Sequence, residues 1–183
     1  MIKCLSMERV KMLDNITNID ELYKFMDENI KYGWYGIDCK VRINSLKEFK
    51  EYYRTMKVED IIKYGVGTCP DYVNLVKFFL DKNNIINKIF AIVGYEKVDG
   101  IDKERVHFMI FYNVGDKWYQ FEQASRFFRG VFEYNNLEDL KEKILEKYND
   151  ILSDKVLIEL DNVPIGIGYD DLNKLINSKM SES

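Results

Sequence analysis

Apolar positions recur at helical spacing early in the chain. The candidate N-caps Asn18 and Asp20 precede one such stripe, which consists of Leu22, Phe25, Met26 and Ile30. This spacing predicts an amphipathic helix that ends near Gly33. A second helix is predicted from the capping-box pair Ser45 and Glu48, with its apolar side formed by Leu46, Phe49 and Tyr53. A short helix over residues 58–63 follows.

The segment 65–71 is predicted to be a loop that runs into the start of a helix. Proline is favoured at the first helical position, where its missing N–H would have no partner. Pro70 therefore places Cys69 at or beside the N-cap. The helix continues to Leu80, and its apolar residues lie nearly all round it, which indicates a buried helix.

The second half of the chain is rich in predicted strands. Strands are expected over 89–95, 105–112 and 118–122, with a turn at 113–116 between the last two. Asn135 or Asn136 caps a further predicted helix, whose apolar face is Leu137, Leu140, Ile144 and Tyr148. A strand over 156–160 and a short helix over 170–176 complete the pattern. Helices first, then an antiparallel sheet, then a helix indicate an α+β fold.

Composition and charge narrow the function classes. The chain has 183 residues, which fits a single domain over 1–183, with core motifs in about 18–150 and a C-terminal extension, 151–183, packing on the core. The net charge of −4 and the lack of a dense Lys/Arg block make the chain a poor candidate for non-specific nucleic-acid binding. No apolar run approaches the roughly 20 residues that span a bilayer. Because charged residues interrupt the N-terminal segment, we expect no membrane partner and a cytoplasmic location.

The cysteines and the single histidine limit the site chemistry. Cys4, Cys39 and Cys69 are widely spaced without a CxxC pair, which argues against disulfides and against structural zinc. One histidine cannot form a His-rich metal site, so neither a metal nor another cofactor is expected. At least one thiol is therefore free to act as a nucleophile.

Cys69 is the candidate nucleophile because of its position at a helix start. Free N–H groups and the helix dipole favour negative charge there, and such sites bring a thiol pKa from about 8.5 down to roughly 3.5–7.5. The alternative is an inert buried cysteine, which is common. His107 is the only histidine partner available, on a strand face shared with Met109 and Phe111.

The turn after the histidine strand decides whether Glu122 can reach His107. A two-residue loop at Gly115 and Asp116 places Met109 opposite Glu122, and then Glu122 is diagonal to His107 on the same face. A loop centred one residue earlier would set His107 directly opposite Glu122. An odd-length loop would send the two side chains to opposite faces. Glycine as the first loop residue suits a type II′ turn and favours an even length.

These segments resemble the motifs of the transglutaminase-like superfamily. The runs are DENIKYGW (27–34), VEDIIKYGVGTCPDYVNLVKFFL (58–80) and VHFMIFYNVGDKWYQFEQAS (106–125). The sequence is most similar to a bacterial branch whose third motif reads Phe-Glu, followed by Arg-Gly and a Tyr. Two departures are Glu122, where the family usually has aspartate, and Pro70, where the branch often has tryptophan.

The resemblance implies a papain-like core, with the cysteine on a central helix that packs on an antiparallel sheet. It implies a triad of Cys69, His107 and Glu122 in nucleophile, base and orienting roles. Tyr32, Trp34 and Asp71 are further candidates for the oxyanion hole or pocket, beside the Cys69 backbone N–H. Arg126 and Arg129 are candidate ligands for a substrate carboxylate, although ordinary surface ion pairing is the alternative.

The expected function is acyl chemistry at an amide bond of a peptide or small amide substrate. Peptidase, amidase or deamidase activity is favoured over protein cross-linking, since nothing in the sequence suggests calcium loops or secretion. A catalytically idle binding module on the same fold is the alternative, and transfer from an acyl carrier is a third reading. The sequence leaves the substrate, the choice between hydrolysis and transfer, and the oligomeric state open.

Overall fold

The computed structural model describes residues 9–125 and 127–182. Residues 9–14 are helical, and the helices that follow are α1 Ile19–Asn29, α2 Phe49–Tyr52, α3 Val58–Tyr64, α4 Cys69–Lys82, α5 Leu137–Lys147 and α6 Tyr169–Glu182. The strands are β1 Lys31–Tyr35, β2 Val41–Ile43, β3 Val66–Gly67, β4 Asn87–Val98, β5 Ile101–Val114, β6 Lys117–Glu122, β7 Gly130–Tyr134 and β8 Ser153–Leu160. No described helix has the length and apolarity needed to cross a bilayer.

Two sheets organise the chain. The larger has the order β7-β6-β5-β4-β8 and is antiparallel throughout, and the smaller has the order β2-β1-β3. Helix α4 packs mainly against β5. This confirms the predicted α+β class, with the candidate nucleophile helix on an antiparallel sheet.

The first helix forms as its pattern predicts, but the aromatic segment after it is a strand. Asn18 is the N-cap, and its side chain accepts a hydrogen bond from the Glu21 N–H at 3.0 Å. The helix ends at Asn29 rather than near Gly33, because the backbone at Ile30 is already extended. Gly33 then pairs with Ile43 in β1 and β2, two strands that the sequence did not predict.

The predicted capping box at Ser45 is wrong. The Ser45 carbonyl accepts a hydrogen bond from the Trp34 indole, and its hydroxyl accepts one from the Lys47 N–H within a turn. Glu48 adopts a left-handed φ of 62°, and its carboxylate pairs with Arg42 at 2.9 Å. The helix therefore begins only at residue 49. Contacts of Ser45 and Glu48 with β1 and β2 therefore replace the predicted cap.

The β5–β6 hairpin has the predicted even-length loop. Val114 pairs with Lys117, so Gly115 and Asp116 are the two loop residues. Gly115 has a φ of +64°, which a primed turn requires and which glycine adopts without strain. Ile110 pairs with Phe121, and this register puts His107 and Glu122 on the same face of the sheet.

Each face of the large sheet carries its own apolar core. On one face, α4 packs against Phe108, Ile110 and Phe121. On the other, α5 packs against Met109 and Phe111. His107 alternates with Phe108 and so belongs to the α5 face.

The last part of the chain packs on the same framework. Strand β8 pairs with β4, and its core contacts continue into α6 through Ile158, Leu160, Val163, Leu172 and Ile176. The loop before α6 encloses Thr55, whose N–H donates to the Ile167 carbonyl at 3.0 Å and whose hydroxyl donates to the Pro164 carbonyl at 2.6 Å. The segment just before α3 is thereby tied to the C-terminal region.

Candidate active site

Cys69 is the first residue of α4. Thr68 is the N-cap with an extended backbone, and Thr68 and Asp71 form a capping box around the start of the helix. Pro70 lies in the first turn, as the sequence predicts. The Cys69 side chain is half-buried, in the region where backbone N–H groups have no acceptor within the helix. The start of the helix therefore presents unpaired N–H groups and the positive end of the helix dipole to the side chain at this position.

A glycine brings the strand before α4 close to the helix. A Cβ atom at Gly67 would lie 2.8 Å from the Tyr72 ring, so a side chain at this position would push the ring away. Strand β3 pairs in parallel with β1, with Tyr32 opposite Gly67. Tyr32 is consequently held beside the junction that leads to Cys69.

His107 and Glu122 form a close pair. His107 Nε2 and Glu122 Oε2 are 2.7 Å apart, and Glu122 is only 2% exposed. The other carboxylate oxygen, Oε1, accepts hydrogen bonds from the backbone N–H groups of Ala124 at 3.0 Å and Ser125 at 2.8 Å. The chain just after β6 thus fixes the carboxylate, and the carboxylate fixes the imidazole.

The Cys69 side chain interacts with His107 and contributes to the raised pKa of its imidazole. Because Nε2 is engaged by Glu122, Nδ1 is the ring nitrogen available to the thiol. Burial opposes a positive imidazole, but the Glu122 charge and hydrogen bonding with Cys69 and Glu122 outweigh it and raise the pKa of His107 well above its ordinary value. The site therefore favours the imidazolium.

Two further buried groups surround this pair. The Tyr148 ring, 4% exposed at the C-terminal end of α5, lies 6.4 Å from the His107 ring. Gln120 Nε2 is 3.4 Å from Glu122 Oε2, and its Oε1 accepts from the Tyr134 hydroxyl at 3.3 Å. Sequence reasoning missed both. Alternation along β6 does place Gln120 on the Glu122 face, whereas Tyr148 carried only a core-helix pattern.

Tyr32 lies near the nucleophile and keeps its proton. The ring is 38% exposed and meets Tyr72 edge-on at 6.4 Å. The charge of Cys69, followed by burial, raises the pKa of Tyr32 far above its ordinary value. The phenol is therefore a neutral O–H donor whose pKa responds to the charge of Cys69.

Trp34 and Asp71, the other two pocket candidates, are placed elsewhere. Trp34 is 0% exposed, and its indole N–H already donates to the Ser45 carbonyl at 2.8 Å, so it is not free to bind an oxyanion. Asp71 is also 0% exposed and faces the interior behind the start of α4. Burial raises the pKa of Asp71 to about 6, against the opposing effect of its hydrogen bonds with Met56 and Thr68. Neither side chain lines an open pocket.

Of the two arginine candidates for substrate binding, the structure describes one. Arg126 lies outside the described residues. Arg129 is half-exposed and pairs with Asp27, with 2.6 Å between Arg129 Nη2 and Asp27 Oδ1. This contact is the surface ion pairing that the sequence left as the alternative to substrate binding.

The space beside Cys69 is small. A cavity of about 10 Å³, enough for one water molecule, lies between Cys69, the apolar side of α4, and the Glu122–Ala124 region. Substrate would therefore approach from the surface. Within residues 9–125 and 127–182, no group of three or more His, Cys, Asp or Glu side chains is arranged to hold a metal ion.

Comparison with known proteins agrees with the architecture. A family model described as a transglutaminase-like domain matches residues 2–148, which include α4 and the β5–β6 hairpin. A comparison with curated proteins finds no match. Since the family match covers most of the sequence, the chain belongs to the transglutaminase-like family.

Proposed function

We propose that this protein is a cysteine enzyme that cleaves or transfers an acyl group at an amide bond. The observation that carries the proposal is the 2.7 Å contact between His107 Nε2 and Glu122 Oε2, at an imidazole whose pKa Cys69 also influences. A histidine held by a buried acid and facing a helix-terminal thiol is the arrangement needed to activate a nucleophile.

The chemistry follows from these positions. The Cys69 sulfur attacks the amide carbon, and the thiol proton resides on His107 Nδ1. The imidazolium then protonates the leaving nitrogen as the C–N bond breaks, which leaves a thioester on Cys69. Water, or an amine acceptor, attacks the thioester carbon and gives a proton to His107, and the C–S bond breaks to release the acid or the new amide. The imidazolium then returns its proton to the Cys69 thiolate. Glu122 keeps the imidazole oriented throughout and stabilises its charged form.

Two donors are available for the developing oxyanion. The backbone N–H of Cys69 lies in the first turn of α4, and the protonated Tyr32 hydroxyl lies near the thiol. We propose these two as the oxyanion hole. Replacing Tyr32 with Phe should therefore lower amide turnover by about 10²-fold or more, the loss typical of one oxyanion donor, and leave Cys69 alkylation nearly unchanged.

Iodoacetamide alkylation tests the nucleophile before a substrate is known. Cys39 is exposed whereas Cys69 is half-buried, so Cys39 is an internal reference in a Cys4→Ser variant. If accessibility alone controlled the rate, Cys39 would react faster. We expect Cys69 to be alkylated faster than Cys39 at pH 6 and to lose this advantage in His107→Ala. Peptide mass spectrometry measures the extent of alkylation at each cysteine. A Cys69 that reacts slowly in both proteins would contradict the enzyme proposal.

A binding module with an idle triad is the second candidate. The observation that favours it is the small volume, about 10 Å³, of the cavity that Cys69 lines. Transfer from a long acyl carrier has less support, because a wider groove of about 720 Å³ lies between β7 and α5 and Cys69 does not line it. Activated alkylation of Cys69 favours the enzyme, and inert alkylation favours the binding module.

A further inference from the structure

A buried carboxylate lies directly behind the candidate nucleophile. Asp71 Oδ1 accepts a hydrogen bond from the Met56 N–H at 2.7 Å. Its Oδ2 lies 2.9 Å from the Thr68 N–H, 2.8 Å from the Thr68 hydroxyl and 3.1 Å from the Tyr53 hydroxyl. The Thr68 and Tyr53 hydroxyls are themselves 2.9 Å apart. All of these contacts are buried, so no water competes for them.

These bonds enclose Cys69. Thr68 precedes Cys69 and Asp71 follows two residues later, and the bond from the Thr68 N–H to Asp71 closes the backbone around the nucleophile. The bonds to Tyr53 and Met56 attach this turn to the segment between α2 and α3. That segment is in turn held by the C-terminal loop through Thr55. The position of the thiol is therefore fixed from three parts of the chain.

The carboxylate offsets the cost of its own burial through the donors that it accepts from, and two of these are backbone N–H groups that would otherwise be buried without an acceptor. Its charge does not assist the nucleophile, because a negative charge two residues from Cys69 repels a thiolate. What the carboxylate also provides is one group that binds four donors and so holds the start of α4 in place. This matters for catalysis because a nucleophile displaced by about 1 Å loses roughly 10²-fold in rate.

We propose that Asp71 is a positioning residue, which holds Cys69 against His107 through Thr68, Tyr53 and Met56. The inference rests on the proposed Cys69–His107 pair and identifies what maintains it. Asp71 is 0% exposed, so it acts on Cys69 from within the protein and not on the substrate. Its effect on Cys69 reactivity is expected to pass through His107, because the orientation of the thiol toward the imidazole is what the bonds preserve.

A double-mutant cycle tests the coupling. The rate constant for Cys69 alkylation is measured at pH 7.5, where the Asp71 carboxyl with its pKa of about 6 is ionised. The proteins compared are the Cys4→Ser parent, Asp71→Asn, His107→Ala and the double variant, with Cys39 as the internal reference. Asparagine keeps the size of Asp71 but cannot accept from all the donors at once. We expect Asp71→Asn to slow alkylation about 10-fold or more in the folded protein, and the double variant to be no slower than His107→Ala.

The matched control lies on the same helix. Asp81→Asn also removes one negative charge from α4, but Asp81 is half-exposed and pairs with Lys77 at the far end. Its alkylation rate should match that of the parent. If Asp71→Asn does not fold, Tyr53→Phe removes one hydroxyl donor and keeps the charge. It should slow alkylation about 3-fold, and this effect too should vanish without His107.

Two results would overturn the proposal while leaving the proposed function intact. One is alkylation in folded Asp71→Asn that is as fast as or faster than in the parent, which means that charge outweighs position. The other is a slowing that is equally large with and without His107. If His107→Ala itself leaves the parent rate unchanged, the proposed Cys–His pair fails, and the positioning role fails with it.

Discussion

Replacing Glu122 with Gln tests the most specific contact in the site. The two carboxylate oxygens have different tasks: Oε1 accepts from the Ala124 and Ser125 N–H groups, and Oε2 faces His107 Nε2. A glutamine has one oxygen for these two tasks. If that oxygen remains on the backbone donors, the amide NH₂ faces Nε2, and the imidazole must carry its proton on Nδ1, where it cannot accept one from the thiol.

The magnitude follows from the bond that is lost. A hydrogen bond to a charged group contributes about 1.5–3 kcal/mol, and each 1.4 kcal/mol is about a factor of ten. Because Glu122 is 2% exposed and the His107 side chain 17%, solvent screens this pair only weakly. We therefore expect the Cys69 alkylation rate at pH 6 to fall about 10- to 100-fold in Glu122→Gln.

The assay is the iodoacetamide reaction monitored by intact-protein and peptide mass spectrometry from pH 5 to 9. Glu133→Gln is the matched control, since Glu133 lies on the adjacent strand β7 with an exposed side chain that pairs with Lys117 at 3.8 Å. The control should stay within about 2-fold of the parent, as expected for an exposed pair. An alkylation rate in folded Glu122→Gln equal to that of the control would refute the argument that Glu122 maintains the imidazolium.

Three other predictions concern single side chains. His107 is the only histidine, so its NMR titration is unambiguous, and its midpoint should lie above the ordinary 6.5 and fall in Glu122→Gln. By linkage, the raised pKa of His107 adds to the free energy of unfolding in full below pH 6.5, and this contribution is lost as pH rises through the folded-state pKa. Urea unfolding of the parent and of His107→Ala across this pH range measures the contribution. Gly115→Ala should cost about 1–2 kcal/mol in the same unfolding assay because φ is +64°, and an unchanged stability would contradict the turn. Trp34→Phe should cost roughly 1–3 kcal/mol by orphaning the Ser45 carbonyl, with alkylation and amide turnover unaffected; a loss of turnover alone would return Trp34 to the oxyanion hole.

The parts of the site that the sequence predicted are governed by local rules. Pro70 marks the start of α4, and Gly115 sets an even hairpin loop, which places Glu122 on the His107 face. Each depends on residues a few positions apart. Turn chemistry and strand alternation are sufficient for such features.

The parts that the sequence did not predict depend on distant pairings. Ser45 does not cap a helix, because its carbonyl accepts a hydrogen bond from the indole of Trp34. Trp34 lies in β1, whose pairing with β2 the sequence did not predict. Asp71 is a pocket candidate in the sequence, yet Tyr53 and Met56 hold its carboxylate in the interior. Tyr148 reaches His107 only because α5 crosses the opposite face of the sheet.

The pairing of β8 with β4 has a practical consequence for any attempt to cut the protein at the family boundary. The family match ends at residue 148, before β8 begins. A fragment ending there would turn β4 into a bare sheet edge and uncover the core surface that Ile158, Leu160 and Leu172 now bury. Exposed edges and apolar patches of this kind promote aggregation. The stable unit for expression and crystallisation therefore extends through α6. We expect shortened forms to be insoluble, so a lack of activity in them would say nothing about the site.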